Sequence, residues 1–156
     1  MSARPYDEEE EEGEEGEEDN HDEETASLSL SALSEPHRQF LLDTMSQFPR
    51  QSTDPVYSPD TYPDHYNKLF QRGLTRVAPQ ASLVVANKLG RAYGFSVDNA
   101  YVCNQDTGAA FFLAAAVETN ANGVVNDDVY EYDAVADPFM DDLAEVVATW
   151  LWGKAA

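Results

Sequence analysis

The sequence predicts an α+β domain: an antiparallel sheet of about three strands with a C-terminal helix packed across it. Strand-like runs at Ser82 to Ala86, Gly94 to Val102 and Phe111 to Thr119 follow one another along the chain. The second and third end in turn-forming residues, Asn104 to Gly108 and Asn120 to Gly123, so sequential antiparallel pairing is the economical topology. Beyond them Phe139, Leu143, Val146, Val147 and Trp150 recur at helical spacing. The length, 156 residues, suits one domain able to bury a real core.

Residues 1–30 read as a disordered acidic tail and 31–156 as the folded part. From Asp7 to Glu24 almost no side chain is apolar, and like charges at that density repel while nothing offsets the entropy of ordering. Ser34 stands where a helix cap would, Glu35 and Pro36 suit a first turn, and Phe40, Leu41 and Met45 follow at helical spacing until Pro49. Pro55, Tyr57, Pro59, Tyr62 and Pro63 make Phe48 to Pro63 an extended, ordered loop. A short helical piece is expected from Asp64 to Gly73. The run Phe111 to Val117 is apolar at every position, which predicts a strand in the middle of a covered sheet. For the last helix Asp137 is the expected cap, Pro138 suits the first turn, and Asp141, Asp142 and Glu145 are expected to face away from the core.

Charge and composition exclude several function classes. The chain has 30 acidic against 9 basic residues and a formal net charge of −21. Fourteen of those acids lie between Met1 and Glu24, with Arg4 the one base there; residues 25–156 keep 16 acids and 8 bases, a net of −8. Phosphate backbones and anionic membranes both require clustered Lys and Arg, so neither is an expected partner; a basic protein is the partner the acidic tail would take. One cysteine, Cys103, can form neither an internal disulfide nor a Cys-based zinc site, and it is expected to point into the core. The longest apolar run, Ala109 to Val117, is too short to span a bilayer. The acid-rich start lacks the basic and apolar segments of a secretory signal, which makes the expected compartment cytoplasmic for the chain as written; a secreted or periplasmic setting would need further upstream sequence.

Two groups of segments carry a family likeness. The first is Asn87-Lys88-Leu89-Gly90-Arg91-Ala92-Tyr93-Gly94-Phe95 with Asp98-Asn99-Ala100-Tyr101. The second is Asn126-Asp127-Asp128-Val129-Tyr130-Glu131-Tyr132-Asp133 with Asp137-Pro138-Phe139; upstream, Met45 to Arg50 and Pro55-Val56-Tyr57 add to it. In this order they resemble the C-terminal part of serine hydrolases of the β-lactamase and penicillin-binding-protein (DD-peptidase-like) type, over roughly residues 34–152. The resemblance implies a partial β-lactamase/transpeptidase-like fold for 31–156, in which N-terminal strands complete the sheet and a helical domain stands opposite the pocket. Without those parts the sheet would keep an uncovered edge and part of an uncovered face.

Such enzymes use S-x-x-K, S-D-N or Y-x-N, and K-T-G motifs. The resemblance places Lys88-Leu89-Gly90 at the K-T-G position. Lys88 would then be the catalytic lysine, its ammonium favouring developing negative charge, and Lys88, Leu89 and Gly90 would contact substrate. Leu89 replaces the hydroxyl that normally hydrogen-bonds the ligand. No S-x-x-K occurs: the residues three before Lys68, Lys88 and Lys154 are His65, Val85 and Leu151, so the chain supplies no nucleophile in that motif. The implied function is therefore the C-terminal portion of a β-lactamase-like serine hydrolase, catalytically incomplete alone, whose amide, ester or β-lactam-type substrate needs the completed domain. The alternative is a non-catalytic acidic protein-interaction module.

Other constellations point to ordinary structure. His21, His37 and His65 have no ligand spacing, and Asp127, Asp128, Glu131 and Asp133 miss the calcium-loop pattern, so no metal is expected. No Gly-rich loop has phosphate-cradle spacing, and no cofactor is expected. Ser82 and Ser96 show no nearby base, and Tyr93, Tyr101, Tyr130 and Tyr132 read as packing aromatics.

Overall fold

The computed structural model describes residues 32–153; the acidic segment read as a tail lies outside them. The elements in chain order are α1 (Glu35–Ser46), α2 (Gln71–Leu74), β1 (Leu83–Ala92), β2 (Phe95–Asn104), β3 (Ala109–Glu118) and α3 (Asp137–Trp152). The sheet is antiparallel in the order β1-β2-β3, a small α+β arrangement. Among the described residues no helix is long and apolar enough to cross a membrane.

The first hairpin is longer and tighter than the sequence suggests. β1 runs on through Asn87 to Ala92, and only Tyr93 and Gly94 separate it from β2. Both have positive φ, 53° and 87°, the geometry of the two-residue turn that matches strand twist. A tyrosine at the first turn position hides the signal that Asn or Gly would give. A Cβ on Gly94 would lie 2.9 Å from Asn120 Cβ, so glycine is required there for space as well as for φ.

The core lies on one face of the sheet. Val85 of β1, Ala100 and Val102 of β2, and the half-buried Phe111, Leu113, Ala115 and Val117 of β3 meet Phe70, Leu74, Met140, Ala144 and Ala148. Phe70, Leu74, Val102 and Met140 are fully buried, each contributing about 1.5–3 kcal/mol. The other face is open over β2 and β3. β3 alternates strictly, with Ala110, Phe112, Ala114 and Ala116 exposed; Phe112 is 84% exposed beside Tyr101, their rings 5.3 Å apart. The apolar run thus forms an edge strand with one bare face, not the covered central strand expected of it. Cys103, by the same alternation, is half-buried on the open face rather than in the core.

Both long helices sit differently from expectation. In α1 no residue is buried, and Phe40 is 68% exposed. Ser34 is the cap residue but makes no side-chain cap bond. In α3 the buried face is Met140, Asp141, Ala144 and Ala148, while Phe139, Val146 and Trp150 of the predicted stripe are exposed, Trp150 at 80%. The reason is the neighbouring α2. A Cβ on Gly73 would stand 1.9 Å from the Asp141 carbonyl oxygen, so the two backbones touch and only small side chains fit between them. Arg72 Nε also holds the Asp141 carboxylate at 2.8 Å, drawing an acid inward that amphipathic spacing had put outside. Burial pushes the Asp141 carboxyl up, and Arg72 opposes it. Asp137 is no cap: a π turn, Tyr132–Ala136, leads into α3, and the Asp137 carboxylate pairs with Arg91 and, at 3.7 Å, Arg72.

Candidate functional site

The densest buried chemistry is a polar relay where the 3-10 turn Asp64–Asn67 meets the sheet. Asn87 and Asp98 point from neighbouring strands into the core face, Asn87 opposite Ala100 and Asp98 opposite Leu89, so the two are diagonal neighbours. Lys68, just after the turn, is fully buried. Its Nζ donates to the carbonyls of Met45 (2.9 Å) and Val85 (2.9 Å) and to Asn87 Oδ1 (2.8 Å), and it stands 5.4 Å from the centre of the Phe48 ring. Asn87 Nδ2 in turn donates to Asp98 Oδ1 (2.8 Å) and to the Asn67 carbonyl (2.9 Å); the Leu69 amide donates to Asp98 Oδ2 (2.9 Å).

An amide therefore relays between a buried ammonium and a buried carboxylate. Burial brings the Lys68 ammonium down to about 8, against the pull of Asp98. Burial likewise pushes the Asp98 carboxyl up, opposed by its bonds from Asn87 and Leu69 and by the Lys68 charge. Chemically the relay is a staple. An ammonium has three protons, and all three are committed to protein oxygens, so none is left for a ligand. It ties the end of α1, the loop and the β1 edge to the sheet.

Beside the staple lies a cleft of about 610 Å³ lined by His65, Leu69, Arg72, Leu89, Gly90, Arg91 and Asp137 among others. Its arginines are already neutralised: Arg72 by Asp141 and Asp137, and Arg91 by Asp137, with Arg91 stacked 4.9 Å over Tyr132. Burial, then the Arg72 charge, lowers the His65 imidazole below its usual value. No serine or cysteine lines the cleft.

The three residues of the K-T-G-like stretch are split between the two faces of β1. Leu89 packs against the core and, with Gly90, lines the cleft; a Cβ on Gly90 would meet nothing within 4 Å, so the backbone is open there. Lys88 is exposed on the open face opposite Asn99, its Nζ donating to the Leu89 carbonyl at 2.7 Å. Ser96 is fully buried and accepts from Arg91 Nε at 3.1 Å. Ser82, expected to lack a base, donates to the Asp106 carboxylate in the turn after β2 and is buried. The acid-rich loop is held by its own hydrogen bonds, Asn122 and the Val129 amide donating to Asp127 at 2.8 and 2.9 Å and holding its carboxyl below the usual range. Tyr132 accepts from the Gly94 amide at 2.8 Å, closing that loop onto the hairpin.

Compared with protein-family models, curated proteins and solved structures, the chain matches none.

Spacing gives no hint of Lys68, which stands between Tyr66 and Leu69-Phe70 with no motif around it. Asp98 does carry a signal: it shares strand parity with Ser96, Ala100 and Val102, and a carboxylate on a core-facing parity demands a donor set.

Proposed function

We propose that the folded part of this chain is a non-catalytic interaction module that docks through the open face and free edge of its sheet. The observation that carries this reading is the bare apolar surface of β2 and β3, led by Phe112 beside Tyr101, with the exposed apolar side chains of α1. Isolated exposed hydrophobics are ordinary, but a continuous sheet face of Phe, Tyr and Ala is a docking surface or a liability. The chemistry of the interior agrees. The buried lysine is fully committed, no serine or cysteine lines the cleft, and the buried serines are paired to Arg91 and Asp106. A basic protein would in addition be attracted to the acids between Asp7 and Glu24. A single cysteine suits the cytoplasm as the compartment.

A second reading is favoured by one specific observation. Lys88 stands exposed on edge strand β1, on the uncovered face, next to a backbone left open at Gly90. That is where the likeness to β-lactamase-type serine hydrolases would put the lysine of a completed pocket. On this reading the chain is the C-terminal half of such a domain, and the nucleophile comes from other sequence.

The module reading is tested by intact-mass analysis of the chain after incubation with a fluorophosphonate and with a penicillin, alongside binding of an apolar fluorescent dye. The module reading expects no adduct, and dye binding that falls in Phe112→Glu. A stoichiometric serine adduct overturns it.

A further inference from the structure

β3 leaves one edge of the sheet unpaired. β3 is ten residues long and pairs only with β2, and among the described residues no other backbone group bonds to its outer edge. Natural edge strands are normally blunted by Pro, by Lys or other charges, by a bulge or by shortness. From Ala109 to Val117 this strand has none of these: nine consecutive residues without a charge, a proline or a glycine. A row of unpaired amide and carbonyl groups lies along it, flanked by apolar side chains on both faces.

We propose that the partner of this edge is a second copy of the chain, joined antiparallel about a two-fold axis at Leu113 to make a continuous six-stranded sheet. The proposal rests on the module reading and names its partner. The register follows from side-chain size. With Leu113 opposite Leu113 of the second copy, Phe111 faces Ala115, Phe112 faces Ala114, Ala110 faces Ala116 and Ala109 faces Val117. Each large ring then meets a small residue on its own face of the sheet, and two-fold symmetry repeats every such pair. A parallel pairing of the same two edges would instead turn one sheet over and set the core face of one copy beside the open face of the other.

Charge picks the same place and orientation. Each copy carries −21, so two copies meet best where neither presents a charge, and β3 offers that over nine residues. In the antiparallel register Glu118 faces Gly108 of the second copy, and the two glutamates lie about 30 Å apart, well beyond the screening length in physiological salt. The remaining repulsion comes from the net charge as a whole, so association strengthens as salt rises. One strand edge is a small contact, so the dimer is concentration-dependent, not obligate.

The test is sedimentation velocity of the full chain from micromolar to near-millimolar protein at low and high sodium chloride. The variants are Phe112→Glu and Ala114→Lys, with Val146→Glu on α3 as control; all three sites are exposed, and far-UV circular dichroism verifies folding. Expected are a monomer–dimer equilibrium shifted towards dimer by salt, weakening of roughly tenfold or more in Phe112→Glu and in Ala114→Lys, and none in Val146→Glu. A monomer throughout, a dimer indifferent to both β3 substitutions, or a dimer dissolved by salt each overturns the proposal. If the chain is monomeric while dye binding still depends on Phe112 and no serine adduct forms, the module reading stands and only the partner falls; a serine adduct removes the reading itself.

Discussion

Replacing Lys68 with methionine removes the one ammonium in the buried relay while keeping a chain of similar length. Lys68 is fully buried, and its three bonds end on Met45, Val85 and Asn87 at 2.8–2.9 Å. Without them two buried acceptors, the Val85 carbonyl and Asn87 Oδ1, lose their donor at about 1–3 kcal/mol each. Asp98 keeps its bonds from Asn87 and Leu69 but loses its nearest cation. Breaking one partner of a buried pair nets about 3–5 kcal/mol in general, and the orphaned acceptors put Lys68→Met in that range. For a domain whose total stability is about 5–15 kcal/mol, that is a large share. Urea denaturation at pH 7, followed by the fluorescence of Trp150 and Trp152 and by circular dichroism, measures it. The double variant Lys68→Met/Asp98→Asn should cost less than the sum of the singles by about 1 kcal/mol or more, because the second change removes a charge the first has stranded. A single variant within about 1 kcal/mol of the parent, or strict additivity, refutes the staple.

Three further outcomes follow from the geometry. Because the folded value of Lys68 lies below its unfolded one, the unfolded chain binds the extra proton between about pH 8 and 10.5; this group's contribution to stability therefore rises across that window and is absent in Lys68→Met, as paired urea curves at pH 7.5 and 10 would show. Gly73→Ala must push α2 off α3 to relieve a 1.9 Å approach to the Asp141 carbonyl and should cost about 1–3 kcal/mol, whereas Gly90→Ala, with open space around it, should stay within about 0.5 kcal/mol; equal effects in a thermal melt would contradict the packing. Trp150, 80% exposed, should tolerate serine within about 0.5 kcal/mol, while Trp152, stacked 5.1 Å from Phe111, should not.

Much of the fold was legible in the sequence because apolar runs and turn residues declare it. Asn104 to Gly108 marks the β2–β3 turn, and Pro138 the start of α3, through local chemistry that nothing distant overrides. What was not legible depends on contacts across the chain. The Tyr93-Gly94 turn lacks the usual signature, so β1 reads several residues too short. The rotation of α3 is set by Gly73 meeting a backbone some seventy residues away, and amphipathic spacing carries no trace of that. Lys68 becomes a staple only when the loop folds over β1. Attention to the lysine at 88 passes over its neighbour Asn87, whose amide joins Lys68 to Asp98. The open face was legible only in part: an all-apolar run says that a strand can be covered on both sides, not that it is.

The most direct test of the central claim, that this chain acts through the open edge of its sheet, is hydrogen exchange of the full chain at low and high protein concentration. About half the amides from Ala109 to Glu118 already bond to β2, and the other half face outward. The outward amides are expected to exchange quickly in dilute solution and to become protected as concentration rises, with β1 unchanged. Protection already complete at low concentration would mean that the edge is covered within the chain, and exchange that stays fast at every concentration would mean that the edge receives no second copy; either result rules out docking of a second copy through this edge.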